Sequence, residues 1–320
     1  MTTSSRLSRI PRTDLDVFPL CLGGNVFGWA ADEATSFAVL DAYAQAGGNF
    51  VDTADGYSRW VPGHTGGESE TIIGRWLAAS GNRDSMVIAT KVGKHPQALG
   101  LSASSIRRGA EASLRRLQTD HIDLYYAHAD DPDTPLEETL EAFDALVREG
   151  KVRYLAASNY SAPRLAQALT LSENQGWARF VALQQHYNLV HRDEYEGQLA
   201  DLVAREELAS VPYYGLASGF LTGKYRPGAD VDSPRAQRAG GYLDERGLRV
   251  LDALDQVAAA HEVAPATVAL AWLAAQPTVA APIASARSVE QLADLLAVTH
   301  VQLTDDELAR LDRASAPSAG

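Results

Sequence analysis

The chain has 320 residues, with 28 basic and 41 acidic side chains and a formal net charge of −13 at pH 7. No cluster of Lys and Arg is visible, which argues against nucleic acid or an anionic membrane surface as a partner. The single cysteine, Cys21, excludes an intramolecular disulfide. The first twenty residues contain no apolar segment typical of a signal peptide, so we expect a cytoplasmic protein.

Strand-like and helix-like segments alternate along the chain. The predicted strands cover residues 18–23, 49–53, 86–91, 122–128, 151–159, 181–184, 209–214 and 279–284. The predicted helices cover 32–46, 67–79, 103–117, 136–149, a segment beginning near 162, 193–205, and a core helix beginning near 268. Roughly eight strand–helix units predict one α/β domain over residues 1–320, a closed (β/α)8 TIM barrel. An open, doubly wound sheet is the alternative, but no Gly-x-Gly-x-x-Gly follows the first strand.

Two connections are longer than the rest. Residues 215–242 follow the seventh strand and are rich in Gly, Pro, Arg and Ser, and residues 57–67 carry Trp60 and three glycines. Loops of this length are often lids or binding loops. We expect Trp29 and Trp60, both in loops after strands, either to line a substrate mouth or simply to anchor their loops.

Four ionisable residues stand at or just past the ends of successive strands: Asp52, Tyr57, Lys91 and His128. The carboxyl ends of barrel strands meet at one face, so these side chains are predicted to converge. Each has a simpler explanation when taken alone: a turn cap, a surface or core tyrosine, a solvated lysine and a core histidine. Together they form a group able to donate a proton, which carbonyl reduction requires in addition to hydride.

Motifs along almost the whole chain, in the same order, resemble those of the aldo-keto reductases. They are Asp52-Thr-Ala-Asp-Gly-Tyr57, Thr90-Lys91-Val, Asp123-Leu-Tyr-Tyr-Ala-His128, Glu149-Gly-Lys-Val-Arg-Tyr-Leu-Ala-Ala-Ser-Asn159, Gln184 with Tyr187-Asn188, and Gly219-Phe-Leu-Thr-Gly-Lys224. The resemblance implies a (β/α)8 barrel that interconverts carbonyls and alcohols with NADP(H). It also implies that the four strand-end residues form the catalytic tetrad.

In this interpretation Tyr57 is the general acid, and the Lys91 ammonium lowers the pKa of its phenol. Asp52 orients Lys91. His128 directs the carbonyl oxygen and, if protonated, helps proton transfer with some substrates. The substrate is a small carbonyl compound or alcohol, and the sequence does not indicate the oligomeric state.

The same resemblance implies a set of cofactor-binding residues. Ser158, Asn159 and Gln184 match positions that bind the nicotinamide amide, and Tyr213 matches the ring that stacks on nicotinamide. The loops after strands seven and eight are expected to bind the phosphates, through Gly219, Leu221, Thr222, Lys224, Ser285, Arg287 and Gln291. Arg287 has the alternative of being a solvated helix-start arginine.

The sequence departs from the family in three places: Ala284-Ser-Ala286 where Pro-Gly-Ala is common, Leu295 in place of an asparagine, and Ala129 in place of a tryptophan. The first two concern adenine contacts, and the third concerns substrate choice. Two other functions stay open at this point. One is a cofactor-bound regulatory or channel-associated subunit with little turnover, and the other is a barrel hydrolase or isomerase. The remaining histidines lack metal-ligand spacing, so no metal is expected.

Overall fold

The structure, a computed structural model, describes residues 7–233 and 235–316. Its strands are β1 (Ser8–Arg9), β2 (Asp16–Val17), β3 (Cys21–Gly23), β4 (Phe50–Asp52), β5 (Val87–Val92), β6 (Lys94–His95), β7 (Ala98–Leu99), β8 (Ile122–Ala127), β9 (Val152–Ser158), β10 (Phe180–Gln184), β11 (Ala209–Ser210) and β12 (Ile283–Ala284). Its helices are α1 (Glu33–Gln45), α2 (Glu68–Ser80), α3 (Ala103–Leu117), α4 (Leu136–Arg148), α5 (Ala162–Gln175), α6 (Gln198–Arg205), α7 (Ala236–Gly240), α8 (Glu245–His261), α9 (Pro265–Ala274), α10 (Val289–Leu296) and α11 (Asp305–Ser315).

Eight parallel strands form the central sheet, in the order β11-β10-β9-β8-β5-β4-β3-β12. The two edge strands meet, because Ser210 forms a parallel bridge with Val279 and the Pro212 carbonyl accepts a hydrogen bond from the Ile283 amide at 2.9 Å. The sheet therefore curls into a barrel with helices around it. This confirms the predicted (β/α)8 fold and excludes the open-sheet alternative.

The strands are buried on both faces, which explains why they read as continuous apolar runs rather than alternating ones. Side chains pointing inward, such as Phe50, Leu124 and Val181, form one core inside the barrel. A larger second core lies between the strands and the surrounding helices. Burial from both sides holds the carboxyl ends of the strands in fixed positions, and the candidate site is built there.

The amino-terminal hairpin β1–β2 was not predicted from the sequence. Its apolar residues Ile10, Leu15 and Val17 belong to the core inside the barrel. On its exposed side, Arg153 in β9 pairs with Asp14 at 2.8 Å. The hairpin thus covers the end of the barrel opposite to the candidate site.

The structure corrects several details of the predicted elements. The seventh and eighth strands, predicted over 209–214 and 279–284, are only Ala209–Ser210 and Ile283–Ala284. The sixth helix begins at Gln198 rather than at 193, because Gly197 before it has a φ of 87°, outside the helical region. The connection at 215–242 is not without secondary structure, since it contains a 3₁₀ segment at Ala217–Thr222 and the short helix α7. Within the described residues, no single helix is long and apolar enough to span a membrane, although α8 and α9, bent by 96°, meet the length and composition test together.

Candidate active site

The four predicted catalytic residues converge at the carboxyl end of the barrel. Asp52 ends β4, Lys91 lies near the end of β5, Tyr57 lies in the loop after β4, and His128 follows β8. The Lys91 ammonium donates to Asp52 Oδ2 at 2.6 Å, to the Thr53 carbonyl at 2.7 Å and to Tyr57 Oη at 3.0 Å. The rings of Tyr57 and His128 meet edge to face with their centroids 6.1 Å apart. We call these four residues the proton-transfer centre.

Lys91 is fully buried, and Asp52 is nearly so. Burial alone would lower the pKa of Lys91, but the charge of Asp52 and the contact with Tyr57 outweigh it, so the pKa is raised above its ordinary value. A buried ion pair of this kind keeps its charges only when the remaining hydrogen bonds are also made. Gln184 contributes one, because its Nε2 donates to Asp52 Oδ1 at 2.9 Å.

The Tyr57 phenol corrects an expectation from the sequence. Lys91 does lower its pKa, as predicted, but burial has the larger effect and raises the pKa to about 12. The phenol therefore carries its proton at neutral pH. A phenol that holds its proton can donate a hydrogen bond to a ligand in the cavity, and the adjacent Lys91 ammonium can stabilise a phenolate if that proton is transferred.

His128 is also altered by its surroundings. Burial lowers its pKa well below the ordinary value, and the positive charges of Lys91, Lys94 and Arg59 lower it further. The imidazole is thus neutral at neutral pH. It can donate a hydrogen bond to a carbonyl oxygen, but the protonated role considered from the sequence is disfavoured.

A cavity of about 560 Å³ opens above the proton-transfer centre. It is lined by three of the four catalytic candidates, Lys91 being buried beneath it, and by Trp29 and Trp60. It is also lined by most of the predicted cofactor residues: Ser158, Asn159, Gln184, Tyr213, Gly219, Thr222, Lys224, Ser285, Arg287 and Gln291. Leu221 does not line it, because its side chain is buried in the outer core. A cavity of this size accommodates a small ligand with most of its surface covered.

Asn159 and Tyr213 lie on one wall of the cavity and are joined by hydrogen bonds. Tyr213 donates its hydroxyl hydrogen to Asn159 Oδ1 at 2.8 Å, and Asn159 Nδ2 donates to the His128 carbonyl and to Ser158 Oγ, both at 2.9 Å. Asn159 has a φ of 57°, a left-handed conformation that asparagine tolerates better than most residues. Because Ser158 Oγ accepts from Asn159, its own hydrogen is left to donate. These groups fit the carboxamide and the flat ring of a nicotinamide.

The loops after β11 and β12 form the opposite end of the cavity. We call its residues the phosphate end: Gly219, Thr222, Lys224, Ser285, Arg287 and Gln291. Gly219 has a φ of 96° and exposes backbone beside the Lys224 side chain. Ser285 Oγ donates to Asn25 Oδ1 at 2.7 Å, and Gln291 Oε1 accepts from the Arg287 amide at 3.0 Å.

In those two hydrogen bonds the side chains of Ser285 and Gln291 hold the loop in its conformation. The Arg287 guanidinium, by contrast, has no hydrogen-bond or ion-pair partner among the described residues. A glycine also keeps this end open, because a Cβ at Gly23 would lie 2.6 Å from Ser285 Oγ. The donor set and the open backbone fit the phosphates of a dinucleotide.

The two tryptophans form one side of the mouth. Trp29 and Trp60 meet edge to face with centroids 5.6 Å apart, and the Tyr57 ring lies 6.2 Å from Trp60. Trp60 is 48% exposed. The two rings contact each other and also line the cavity. Both roles considered from the sequence, lining the mouth and anchoring the loops, are therefore compatible with this contact.

The lining residues that sequence reasoning missed include Asn25, Lys94, Tyr214 and Arg235. Asn25 and Lys94 stand just past the ends of β3 and β5, so the rule that found the tetrad would also have found them. Arg235 lies in the long loop after β11, with its guanidinium 5.3 Å from the Trp29 ring centroid. Nothing in the spacing of the sequence indicates that contact. Among the described residues, no group of three or more His, Cys, Asp or Glu is placed to hold a metal ion.

Comparisons with known proteins agree with this arrangement. A family model described as "Aldo/keto reductase family" matches residues 19–316. The chain is 37% identical to "Uncharacterized oxidoreductase YrpG" of Bacillus subtilis, over 97% of this chain and 95% of that protein. It is 33% identical to "Protein tas" of Escherichia coli, over 95% and 96%. It is also 33% identical to "Norsolorinic acid reductase B" of Aspergillus parasiticus, over 98% and 86%. The chain therefore belongs to the aldo/keto reductase family of oxidoreductases.

Proposed function

We propose that this protein is an NADPH-dependent reductase of aldehydes or ketones, or catalyses the reverse reaction, with Tyr57 as the general acid. The observation that carries the proposal is the chain of contacts from Asp52 through Lys91 to Tyr57 Oη, with distances of 2.6 Å and 3.0 Å, at the floor of a cavity. The nicotinamide, when bound, supplies the hydride, and the protein orients the reactants and handles the proton.

Each residue of the centre has a separate task in this mechanism. A carbonyl oxygen lying between Tyr57 and His128 accepts a hydrogen bond from each. As negative charge grows on that oxygen, Tyr57 transfers its proton, and the Lys91 ammonium stabilises the phenolate that remains. Asp52 and Gln184 hold Lys91 in place and charged. Because these donors are positioned before the reaction, little reorganisation is needed at the transition state.

The preference for NADPH rests on Arg287. Its guanidinium lines the phosphate end, and its backbone is fixed by Gln291. A guanidinium binds a phosphate through two parallel hydrogen bonds, which suits the 2′-phosphate that distinguishes NADPH from NADH. Ser158, Asn159, Gln184 and Tyr213 are assigned to the nicotinamide. The cytoplasmic location expected from the sequence remains a prediction.

The direct test is to mix the protein with reduced cofactor and a panel of aldehydes and ketones while following the absorbance of the reduced nicotinamide. We expect substrate-dependent loss of absorbance, faster with NADPH than with NADH. Tight NADPH binding without turnover, in either direction, would instead indicate a regulatory subunit. Conversion of the substrate at constant absorbance would indicate hydrolase or isomerase chemistry.

A further inference from the structure

The substrate side of the cavity carries a positive charge that the proton-transfer centre does not use. Lys94 begins β6, directly after the strand that bears Lys91, and its half-buried side chain lines the cavity together with Tyr57, Trp60 and His128. Lys91 is neutralised by Asp52 at 2.6 Å. In the part of the chain that the structure describes, Lys94 has no such carboxylate partner.

The groups around Lys94 increase this positive charge. The Arg59 guanidinium donates to the Lys94 backbone carbonyl, which places a second cation beside it. Burial, and then the charges of Lys91 and Arg59, lower the pKa of Lys94, whereas Asp55 opposes them. An anion that binds next to a partly buried cation, already close to other cations, stabilises the charged form of that cation.

Few negative charges line the cavity to balance these cations. Among the described lining residues, only Asp52 and Asp294 carry carboxylates. Asp52 is occupied by Lys91, and Asp294 lies in α10, at the phosphate end. The substrate side is therefore locally positive in a protein whose net charge is −13. A local field of this sign raises the concentration of anionic ligands at the mouth.

The same side of the cavity is aromatic. Trp29, Trp60 and Tyr57 lie edge to face, with centroid separations of 5.6 Å and 6.2 Å. Aromatic walls of this kind favour planar, apolar groups through offset or edge contacts. A ligand that satisfies both features has a planar ring and an anionic substituent.

We infer that the enzyme selects flat carbonyl compounds that carry a carboxylate or a similar anionic group, and that Lys94 binds this group. The inference rests on the proposed reductase function and names its substrate class. The cofactor phosphates have their own cations, Lys224 and Arg287, at the other end of the cavity. Lys94 is therefore available to the substrate. Arg235, stacked on Trp29, is the competing location for the anion.

The test compares 3- and 4-carboxybenzaldehyde with their methyl esters, which keep the ring and the aldehyde but lose the charge. For the parent, we expect kcat/KM to favour the acids over the esters by about tenfold. Lys94→Met should lower this acid-to-ester ratio by about the same factor, mainly through KM, and Lys94→Arg should restore part of it. Lys151→Met is the matched control, because Lys151 precedes β9 at the opposite end of the barrel.

Two outcomes would overturn the inference: a parent that does not favour the acids, or an unchanged acid-to-ester ratio in Lys94→Met. If the ratio is unchanged in Lys94→Met but lost in Arg235→Gln, the anion binds at Arg235 instead. Absence of turnover with any substrate would contradict the proposed function instead. Binding then decides the inference, through quenching of tryptophan fluorescence by the same acids and esters. Tighter binding of the acids that depends on Lys94 supports it, and equal binding of acids and esters contradicts it.

Discussion

The proton-transfer centre and the phosphate end share one cavity but are built in different ways. In the centre, the functional side chains are held by the protein itself: Lys91 makes three hydrogen bonds, and Asp52 accepts from both Lys91 and Gln184. At the phosphate end, the side chains of Arg287 and Lys224 form no hydrogen bond or ion pair with any residue that the structure describes. The hydrogen bonds there involve the backbone, at the Arg287 amide and the Gly219 carbonyl.

The tasks proposed for the two regions account for the difference. Chemistry requires groups that are already in position when the transition state forms, and strands buried on both faces supply that rigidity. Cofactor must enter and leave, and a loop that gains hydrogen bonds only on binding serves that exchange. Changes in the centre should therefore affect turnover, and changes at the phosphate end should affect affinity. The predictions below test this division.

The largest effect is expected from Tyr57→Phe. The ring contacts with Trp60 and His128 are kept, but the proton donor is lost, so turnover should fall by about 10²–10⁴-fold while cofactor affinity stays nearly unchanged. Steady-state kinetics and a fluorescence titration with NADPH measure the two effects. Tyr154→Phe, which removes a hydroxyl at the hairpin end of the barrel, is the control. A Tyr57→Phe enzyme within threefold of the parent would remove Tyr57 from the mechanism.

The next effect concerns the pair formed by Lys91 and Asp52. Breaking a buried ion pair from one side leaves an uncompensated charge, which typically costs about 3–5 kcal/mol of stability. Lys91→Met and Asp52→Asn should each lower both turnover and the unfolding midpoint. The double variant should lose less than the sum of the two, because neither charge is then left alone. Kinetics and thermal unfolding of the four proteins give the coupling, and strictly additive losses would contradict it.

Arg287→Ala tests the other region. The loss of charged hydrogen bonds worth about 1.5–3 kcal/mol should weaken NADPH binding by roughly 10- to 100-fold and leave NADH nearly unchanged. Ser285 and Gln291 are bonded to Asn25 and to the Arg287 amide, so they are poorly placed to compensate. Turnover at saturating NADPH should change little. Arg313→Ala, at an exposed position in α11, is the control. Equal weakening of both cofactors would show that Arg287 does not read the 2′-phosphate.

The two regions also differed in how far the sequence could predict them. Strand periodicity and the rule that strand ends converge predict that Asp52, Lys91 and His128 lie together, so their convergence could be predicted without coordinates. Their catalytic roles were implied by the family resemblance and stay a prediction. The pKa of Tyr57 could not be predicted, because the competition between burial and Lys91 depends on packing. The hydrogen bond from Ser285 to Asn25 also could not be predicted, because these residues are 260 positions apart in the sequence. The contact of Arg235 with Trp29 depends on how a long loop folds back.

The smallest expected effect concerns a buried acid beside the proton-transfer centre. Asp55, between Asp52 and Tyr57 in the chain, is fully buried, and neither carboxylate oxygen has a hydrogen-bond partner among the described residues. Burial, and then the negative charge of Glu70, raise its pKa from 3.8 to about 7. The folded protein therefore holds a proton on Asp55 that the unfolded chain releases near pH 4. The stability contributed by this proton is complete below about pH 4 and is lost as the pH rises towards about 7.

Asp55→Asn removes this titration and keeps the shape of the side chain. Relative to the variant, the parent should lose about 1–3 kcal/mol of stability between about pH 5 and about pH 7.5, and the two should run parallel at higher pH. Denaturant unfolding across this range measures the difference, and Asp84→Asn, at an exposed position, controls for the loss of a negative charge. Parallel pH profiles of parent and Asp55→Asn throughout would mean that Asp55 ionises normally. Burying Asp55 beside the proton-transfer centre would then not lower the stability of the protein at neutral pH.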